Sequence, residues 1–375
     1  MITQTIHCDV CSTIVREVKG PISLCFRVGD GDSLNASDFV GEDSAMMHDE
    51  TSGLRMAVVT PVYDDWLCVN ELLRQLSTVS TELPSITVYV VDDGSTTPVV
   101  LDVDDWGAHF EASFLVTAGT NLGHQRAIAL GITEVLRAGR FGLVLVIDAD
   151  GEDDPRDAVR LVRALGPGAL SISVAQRQGR SEALGFRAFY RMYRWAFRAL
   201  TGRRLDFGNF CLLSIGAADR LGHMPELWNH FPAAIMRSKL PITKVPTDRS
   251  SRYFGESRMN FVALVNHGLA AISTFTDVVF ARLLIVVSAL AGLCVLVAGA
   301  VIGVRIGSDA AIPGWATTVV GFALLGLFQF LTVLSIMTFT LLSSRSNIPS
   351  TPIAEAPKYL KSFELVHGTI GGPEE

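Results

Sequence analysis

Basic residues are in the minority in this chain. Its 31 Lys and Arg face 38 Asp and Glu, a formal net charge of −7 over 375 residues. That balance offers no electrostatic footing for nucleic acid. Much of the acid excess precedes Leu54, in Asp30, Asp32, Asp38, Glu42, Asp43, Asp49 and Glu50. Cysteine is scarce too: the six residues at 8, 11, 25, 68, 211 and 294 form no disulfide framework. Cys8-x-x-Cys11 lacks the second pair a zinc site usually needs, with only His7 and Cys25 nearby, and reads as reduced thiols in a loose extension. The first residues have no long apolar run and contain Arg16 and Lys19, so no secretory signal is expected there.

What is abundant is apolar surface. The mean hydropathy of +0.35 is high for an ordinary soluble enzyme, so part of the excess is expected in lipid. Leu283 to Val304 carries no charge and is long enough to span a hydrocarbon core. A second uncharged stretch, with its apolar body from Trp315 to Leu342, follows a short turn and predicts a helical hairpin. Arg249, Arg252, Arg258 and Arg282 precede the pair, and Arg345, Lys358 and Lys361 follow it. The turn holds only Arg305, offset by Asp309. The positive-inside rule then predicts a cytoplasmic catalytic domain and tail. Between Met259 and Phe280, apolar residues mixed with Asn266, His267, Ser273 and Asp277 suit helices lying on the bilayer surface.

The remaining chain predicts residues 1–53 as a disordered acidic extension, 54–258 as a catalytic domain, 259–281 as juxtamembrane helices, 282–344 as two spans and 345–375 as a tail. Within 54–258, strand and helix patterns alternate. Met56-Ala57-Val58-Val59, Ile86 to Val91, Ser113 to Val116 and Leu143 to Ile147 read as strands, Val69 to Leu76 and Arg126 to Arg137 as helices, and Pro155 as a helix start. This alternation predicts an α/β fold with a mostly parallel sheet and helices on both faces. Pro61-Val62-Tyr63-Asp64-Asp65, Asp92-Asp93-Gly94-Ser95 and Asp148-Ala149-Asp150 each fall at a predicted strand's C-terminal end, where open α/β sheets bind ligands.

Asp148-Ala149-Asp150 places two carboxylates one residue apart where a buried strand meets a loop. A bent strand end can bring one onto a divalent cation directly and the other through water or substrate. Mg²⁺ and Mn²⁺ favour such oxygen ligands, and the ion would neutralise a diphosphate. Glu152 either completes the metal shell or belongs with Asp153 and Asp154 to an acidic first helical turn. Asp30-Gly31-Asp32 has the same spacing without the strand context.

These strings, with Asn121-Leu122-Gly123-His124-Gln125, Asp206-Phe207-Gly208-Asn209-Phe210, Arg252 and Gly255-Glu256-Ser257-Arg258, stand in the order seen in family 2 glycosyltransferases. The chain resembles the branch containing dolichyl-phosphate mannose synthases and bacterial polyprenyl-phosphate glycosyltransferases, from about Arg55 to Leu342. The resemblance implies a GT-A-type (Rossmann-like) fold with a C-terminal two-helix hairpin. It implies that Pro61, Val62 and Tyr63 flank a nucleobase and that Asp93 or Asp92 accepts a hydrogen bond from its ring. Asp148, Ala149 and Asp150 would serve the metal (Mg²⁺ or Mn²⁺), diphosphate and sugar, with Glu152 as a further candidate ligand. Arg177, Arg180, Arg252 and Arg258 would face phosphates. The chain departs from the family in having Asp64-Asp65 after Tyr63, Glu152, and Arg258.

The implied activity is inverting transfer of one sugar from a UDP- or GDP-sugar to a polyprenyl (undecaprenyl- or dolichyl-type) phosphate at the cytoplasmic membrane face. A lipid phosphate is already ionised near neutral pH and needs no strong base, which fits the lack of an obvious catalytic His. His124 is the nearest candidate, though a loop histidine beside Gly123 is more often structural or substrate-positioning, and Asp206 either orients an acceptor or braces Arg side chains. Arginine suits bidentate phosphate contacts near the membrane, or attraction to anionic headgroups, the reading favoured for Arg282. The alternatives are a processive polysaccharide synthase, whose usual Gln-x-x-Arg-Trp has only Arg191-Met192-Tyr193-Arg194-Trp195 as a counterpart here, and a silent membrane scaffold. Gly292, Gly299 and Gly303 suit close helix packing, within the hairpin or in a homo-oligomer.

Overall fold

Met56-Ala57-Val58-Val59 is apolar at every position, as a strand covered on both faces requires. It lies in β1 (Arg55–Val62), whose residues after Arg55 are all buried. The structure, a computed structural model, describes residues 54–178, 184–255, 261–307, 314–346 and 350–368. The extension 1–53 with Cys8 and Cys11, and the candidates Arg180 and Arg258, lie outside the described residues.

β2 (Ser85–Asp92), β3 (Ala112–Ala118) and β4 (Leu143–Val146) join β1 in a parallel core ordered β4-β1-β2-β3. β5 (Ile172–Gln178), β6 (Cys211–Ser214), β7 (Ile242–Asp248) and β8 (Leu360–Gly368) extend it to eight strands in the order β7-β5-β6-β4-β1-β2-β3-β8. β6 runs antiparallel to β4 and β5, and β8 antiparallel to β3. One sheet face packs on α1 (Trp66–Ser77) and α3 (Asp157–Ala164), the other on α2 (His124–Ala138), α5 (Ile215–Gly222) and α6 (Phe231–Ser238). The inner strands therefore sit in an apolar sandwich, whereas the edge strands β7 and β8 are largely exposed. The chain leaves β1 towards β2 on one side and reaches β4 on the other, so β1 and β4 flank the point where the strand order reverses.

Two expectations change in detail. Pro155 precedes the helix rather than opening it: α3 begins at Asp157, because Asp154 accepts from the Arg156 backbone N–H (2.9 Å) and guanidinium and fixes a turn first. The segment expected as a tail contributes β8, whose Phe363 stacks on Phe114 of β3 with centroids 4.8 Å apart.

Before the apolar helices come α4 (Leu184–Thr201) and α7 (Phe261–Ser273). α8 (Thr276–Gly307) and α9 (Trp315–Ser346) are 32 residues each. Both are long and apolar enough to cross a membrane, with mean hydropathies of 2.8 and 2.2 in their most apolar windows. Only 11% and 0% of those windows is buried, which a core helix of a water-soluble protein would not show. The two helices approach closely at Gly326, where an added Cβ would lie 3.3 Å from Cys294 Sγ. Gly292, Gly299 and Gly303 have nothing within 4 Å of that position and take no part in the hairpin contact.

Candidate active site

The parallel register brings the C-terminal ends of β4, β1 and β2 side by side, and with them the three acidic strings. Ile147 is held to β1 by its N–H to Val59 O (3.1 Å), which delivers Asp148 at the sheet edge. Asn209, just before β6, donates its amide to Asp148 Oδ1 and Oδ2 (3.2 and 3.1 Å), and His124 Nε2 lies 3.0 Å from Oδ1. Burial disfavours the charged Asp148, but His124 and the two hydrogen-bond donors outweigh it and hold the carboxyl below its ordinary pKa. Gln125 orients Asn209, donating to its Oδ1 (3.1 Å) while accepting from Phe231 N–H (2.6 Å).

Asp150 has the opposite balance. Burial, then the charge of Asp148, pushes it up to about 6, against a hydrogen bond from the Glu152 N–H (3.0 Å). Arg252 Nη1 lies 3.4 Å from Asp150 Oδ2, and the same guanidinium pairs with Asp65. The segment 250–253 is clamped across the motif by Tyr253 N–H to Asp150 O (2.9 Å) and Ser250 N–H to Glu152 O (3.0 Å). Gly151, at φ +87°, lets the Tyr253 ring lie flat on this turn.

The other predicted residues separate into two groups. Arg177 is committed to a bidentate pair with buried Asp153 (3.0 and 2.7 Å) and reaches Glu152 at 3.4 Å, so its guanidinium is already matched by carboxylates. Glu152 also pairs with Arg249. Ala149 and Val62 are core residues, and Pro61 is a buried member of β1. Tyr63 and Asp92 instead line a cavity of about 1010 Å³ with Gly94, Thr117, Asn121 and Lys361. Asp93 does not line it: its two oxygens accept from Leu122 N–H (2.7 Å) and Gly123 N–H (3.0 Å), which holds the 121–123 loop. Asp92 uses one oxygen for Ser95 N–H (2.8 Å).

Several contributors had no role in the sequence reading. Asp64 accepts from the N–H and hydroxyl groups of Thr96 and Thr97 (2.7–2.9 Å), which lowers its pKa to about 2. The departure Asp64-Asp65 thus builds the cavity rim on one side and anchors Arg252 on the other. Asn209, Gln125 and Tyr253 were visible only as parts of strings. Asp206 binds Lys244 (2.8 Å) and Gln176 (2.7 Å) rather than an arginine.

Two neighbouring half-buried carboxylates, one of them held above its ordinary pKa by desolvation and then by the other, form a site that a cation would relieve. Among the described residues no three His, Cys, Asp or Glu side chains are grouped to hold a metal alone.

A mostly parallel sheet with helices on both faces, a reversal point at β1/β4, and carboxylates gathered there form the kind of edge at which open α/β sheets bind ligands. Residues 57–218 match the sequence model of Glycosyl transferase family 2. The chain is thus a glycosyltransferase, with a family 2 match over residues 57–218. It is 24% identical over 331 residues to an undecaprenyl-phosphate 4-deoxy-4-formamido-L-arabinose transferase of Enterobacter sp. (strain 638), covering 86% of this chain and 97% of that one. Similar solved structures include glucosyl-3-phosphoglycerate synthase from Mycobacterium tuberculosis with Mn²⁺, UDP-glucose and phosphoglyceric acid (TM-score 0.44, 15% identity, 60% of this chain and 80% of that one). The same enzyme with Mn²⁺ and UDP-glucose gives a TM-score of 0.44 at 16% identity, covering 61% and 82%.

Proposed function

We propose that this glycosyltransferase moves a single sugar, with inversion, from a nucleotide-diphosphate sugar to a polyprenyl phosphate at the cytoplasmic membrane face. The observation that carries the reading is the Arg252–Asp150 contact. It joins the acidic motif to the segment that leads into the membrane helices, so donor chemistry and a bilayer-anchored acceptor meet at one place. The name of the Enterobacter relative, which specifies transfer involving undecaprenyl phosphate, supports the acceptor class.

In this reading the base occupies the cavity lined by Tyr63, with Asp92 rather than Asp93 free to accept from its ring N–H. Asp148 and Asp150 would hold Mg²⁺ or Mn²⁺, and the ion would supply Lewis-acid stabilisation of a departing diphosphate. Asn209 and His124 keep Asp148 ionised. Arg252, released from Asp65 and Asp150, is placed to take an acceptor phosphate, and the same role is proposed for Arg258. Glu152 is a salt-bridge partner first and a metal ligand only if Arg249 gives way. β8 supports the orientation: the chain enters α8 from the catalytic unit and, after α9, returns to the same sheet, so both hairpin ends share one face. Flanking arginines favour the cytoplasmic one.

The test is incubation of membranes containing the protein with radiolabelled nucleotide sugars, Mn²⁺ or Mg²⁺, and polyprenyl phosphate. Label extracted into organic solvent is expected. Label confined to insoluble polymer would replace this reading with a processive synthase, and no labelling with any donor would leave the scaffold.

A further inference from the structure

The chain beyond the membrane hairpin returns to the sheet as β8, and β8 forms one wall of the cavity that Tyr63 and Asp92 line. Its pairing with β3 is interrupted at one point. Thr117 pairs with Ser362 and Ala118 with Leu360, so Lys361 is the extra residue of a β-bulge. Side-chain alternation along the strand shows what the bulge does. Phe363 stacks on Phe114, and Leu360 packs on the same apolar cluster, so both belong to the sheet face covered by α2. Ser362 and Glu364, opposite Thr117 and Leu115, belong to the other face, which carries the cavity. A regular strand would turn Lys361 to the Phe363 side. With the bulge, it lines the cavity beside Ser362.

Among the described residues, the charged side chains lining this cavity are Asp92, Lys361 and Glu364, and Lys361 is the cation. Its ammonium makes no ion pair with a described residue, whereas Lys358, three positions earlier, is held by Glu355 at 3.0 Å. Asp92, Thr117 and Ser362 stand in one register row across β2, β3 and β8. Two strand spacings, about 10 Å, separate the first from the last. Asp92 uses Oδ1 for the Ser95 N–H (2.8 Å), which leaves Oδ2 as an acceptor on one side of that gap. The flexible four-carbon stem of Lys361 brings a donor from the other. An acceptor and a donor so placed complement a keto base, whose ring N–H adjoins an exocyclic carbonyl oxygen, as in uracil and guanine. Cytosine and adenine carry an amino group in place of that oxygen.

We propose that Lys361 is a specificity-determining residue of the donor site, donating to the exocyclic carbonyl oxygen of a keto nucleobase whose ring N–H is taken by Asp92. This role rests on the base lying in the cavity, the placement proposed for it, and names the residue that reads the base there. The selectivity comes from unequal pairing. A carbonyl oxygen accepts from the ammonium, whereas an amino group in the same place leaves two donors facing each other. The donor site is thereby tied to the membrane anchor, because β8 reaches the sheet only after α9. A bulge and a lysine also guard an edge strand against pairing with another chain. That role alone requires no preference among nucleotides, so base affinity separates the two.

The test is calorimetry on full-length protein in detergent with Mn²⁺, using UDP, GDP, CDP, ADP and pyrophosphate as probes. Lys361→Met keeps a long stem without the charge. It is expected to weaken binding of the preferred keto nucleotide, UDP or GDP, roughly tenfold or more, and to leave CDP and ADP little changed. Lys361→Arg should restore most of the preference. Lys361 is exposed on an edge strand, so melting temperatures should match wild type. Pyrophosphate has no base and should bind Lys361→Met as it binds wild type; an equal loss there assigns the lysine to phosphate and overturns the proposal. Lys358→Met measures general attraction between cation and anion, and an effect as large as that of Lys361→Met overturns it too. Tyr63→Ala separates these outcomes from failure of the cavity placement. Weaker binding in Tyr63→Ala with none in Lys361→Met removes Lys361 alone and leaves it an edge guard. Full affinity in both variants, or no nucleotide binding by wild type, removes the base from the cavity and the proposal with it.

Discussion

Asn209 donates one side-chain amide to both oxygens of Asp148, at 3.2 and 3.1 Å. The amide can present its nitrogen there because its oxygen is held by Gln125, so the direction of every donor in this row is fixed. Asn209→Ala removes a neighbour that orients the carboxylate without removing the carboxylate. Loss of such a supporting contact is expected to weaken Mn²⁺ binding roughly 10- to 100-fold, read by calorimetry with the nucleotide present. Asn209→Asp sets a third negative charge against Asp148 and is expected to change the pH profile as well as the affinity. Gln125→Leu is expected to reproduce part of the Asn209→Ala loss, since it frees the amide to turn.

Gly151→Ala tests the clamp over the motif. The backbone there has φ +87°, and an added Cβ would lie 2.6 Å from the Tyr253 ring. The left-handed conformation alone costs a residue with a Cβ about 1–2 kcal/mol, and the ring contact adds to that. A lower melting temperature and weaker nucleotide binding are expected. Tyr253→Ala in the same chain should recover the part due to overlap and leave the part due to φ. Full recovery would mean that the backbone conformation carries no cost here.

These two sites show what the sequence could and could not reveal. The strings at the ends of β1, β2 and β4 were legible because unbroken apolar runs stop at carboxylates, and parallel pairing then puts neighbouring strand ends on one edge. The apolar hairpin was legible for the same reason, since runs of that length have few other uses. Partner choice was not legible. Arg177 read as a phosphate ligand, but its pairing with Asp153 depends on how β5 and the 152–154 turn approach in space. Asp93 and Asp92 are adjacent in sequence, yet only the fold of the 121–123 loop decides which is consumed internally.

His230 offers a stability test away from the motif. It caps α6, accepting from Ala233 N–H at Nδ1 (3.2 Å), and its Nε2 lies 3.1 Å from Nε2 of His267 on α7. Burial, reinforced by His267, depresses its pKa from 6.5 to about 3, and burial lowers His267 as well. In the unfolded chain both rings take up protons near pH 6.5, whereas the folded protein resists until lower pH. The unfolded state thus binds more protons below pH 6.5, and stability falls as the medium is acidified from there towards pH 3. The slope is about 1.4 kcal/mol per pH unit for each ring that stays neutral. Melting temperatures in detergent should drop between pH 7 and pH 5. His230→Asn keeps a capping side chain and should flatten that drop.

Asp150 and Glu152 separate the metal reading from a purely structural one. Both are acidic and two residues apart, but their partners differ. Asp150 is pushed towards the protonated form by burial and Asp148, whereas Glu152 is neutralised by Arg177 and Arg249. If the cation sits between Asp148 and Asp150, Asp150→Asn removes a ligand and a charge. Transfer is expected to fall on the order of a hundredfold or more, as when a preorganised electrostatic group is lost from a site. Mn²⁺ affinity should fall with it, and fold stability should hold or rise, because a carboxylate held above its ordinary pKa by desolvation and Asp148 has been deleted. Glu152→Gln should do the reverse: it leaves Arg177 and Arg249 with one carboxylate fewer, lowering the melting temperature while Mn²⁺ affinity stays close to wild type. Chelation should silence wild-type protein and added Mn²⁺ restore it. Equal losses of Mn²⁺ affinity in the two variants would move Glu152 into the coordination shell, and an Asp150→Asn protein with full affinity would remove Asp150 from it.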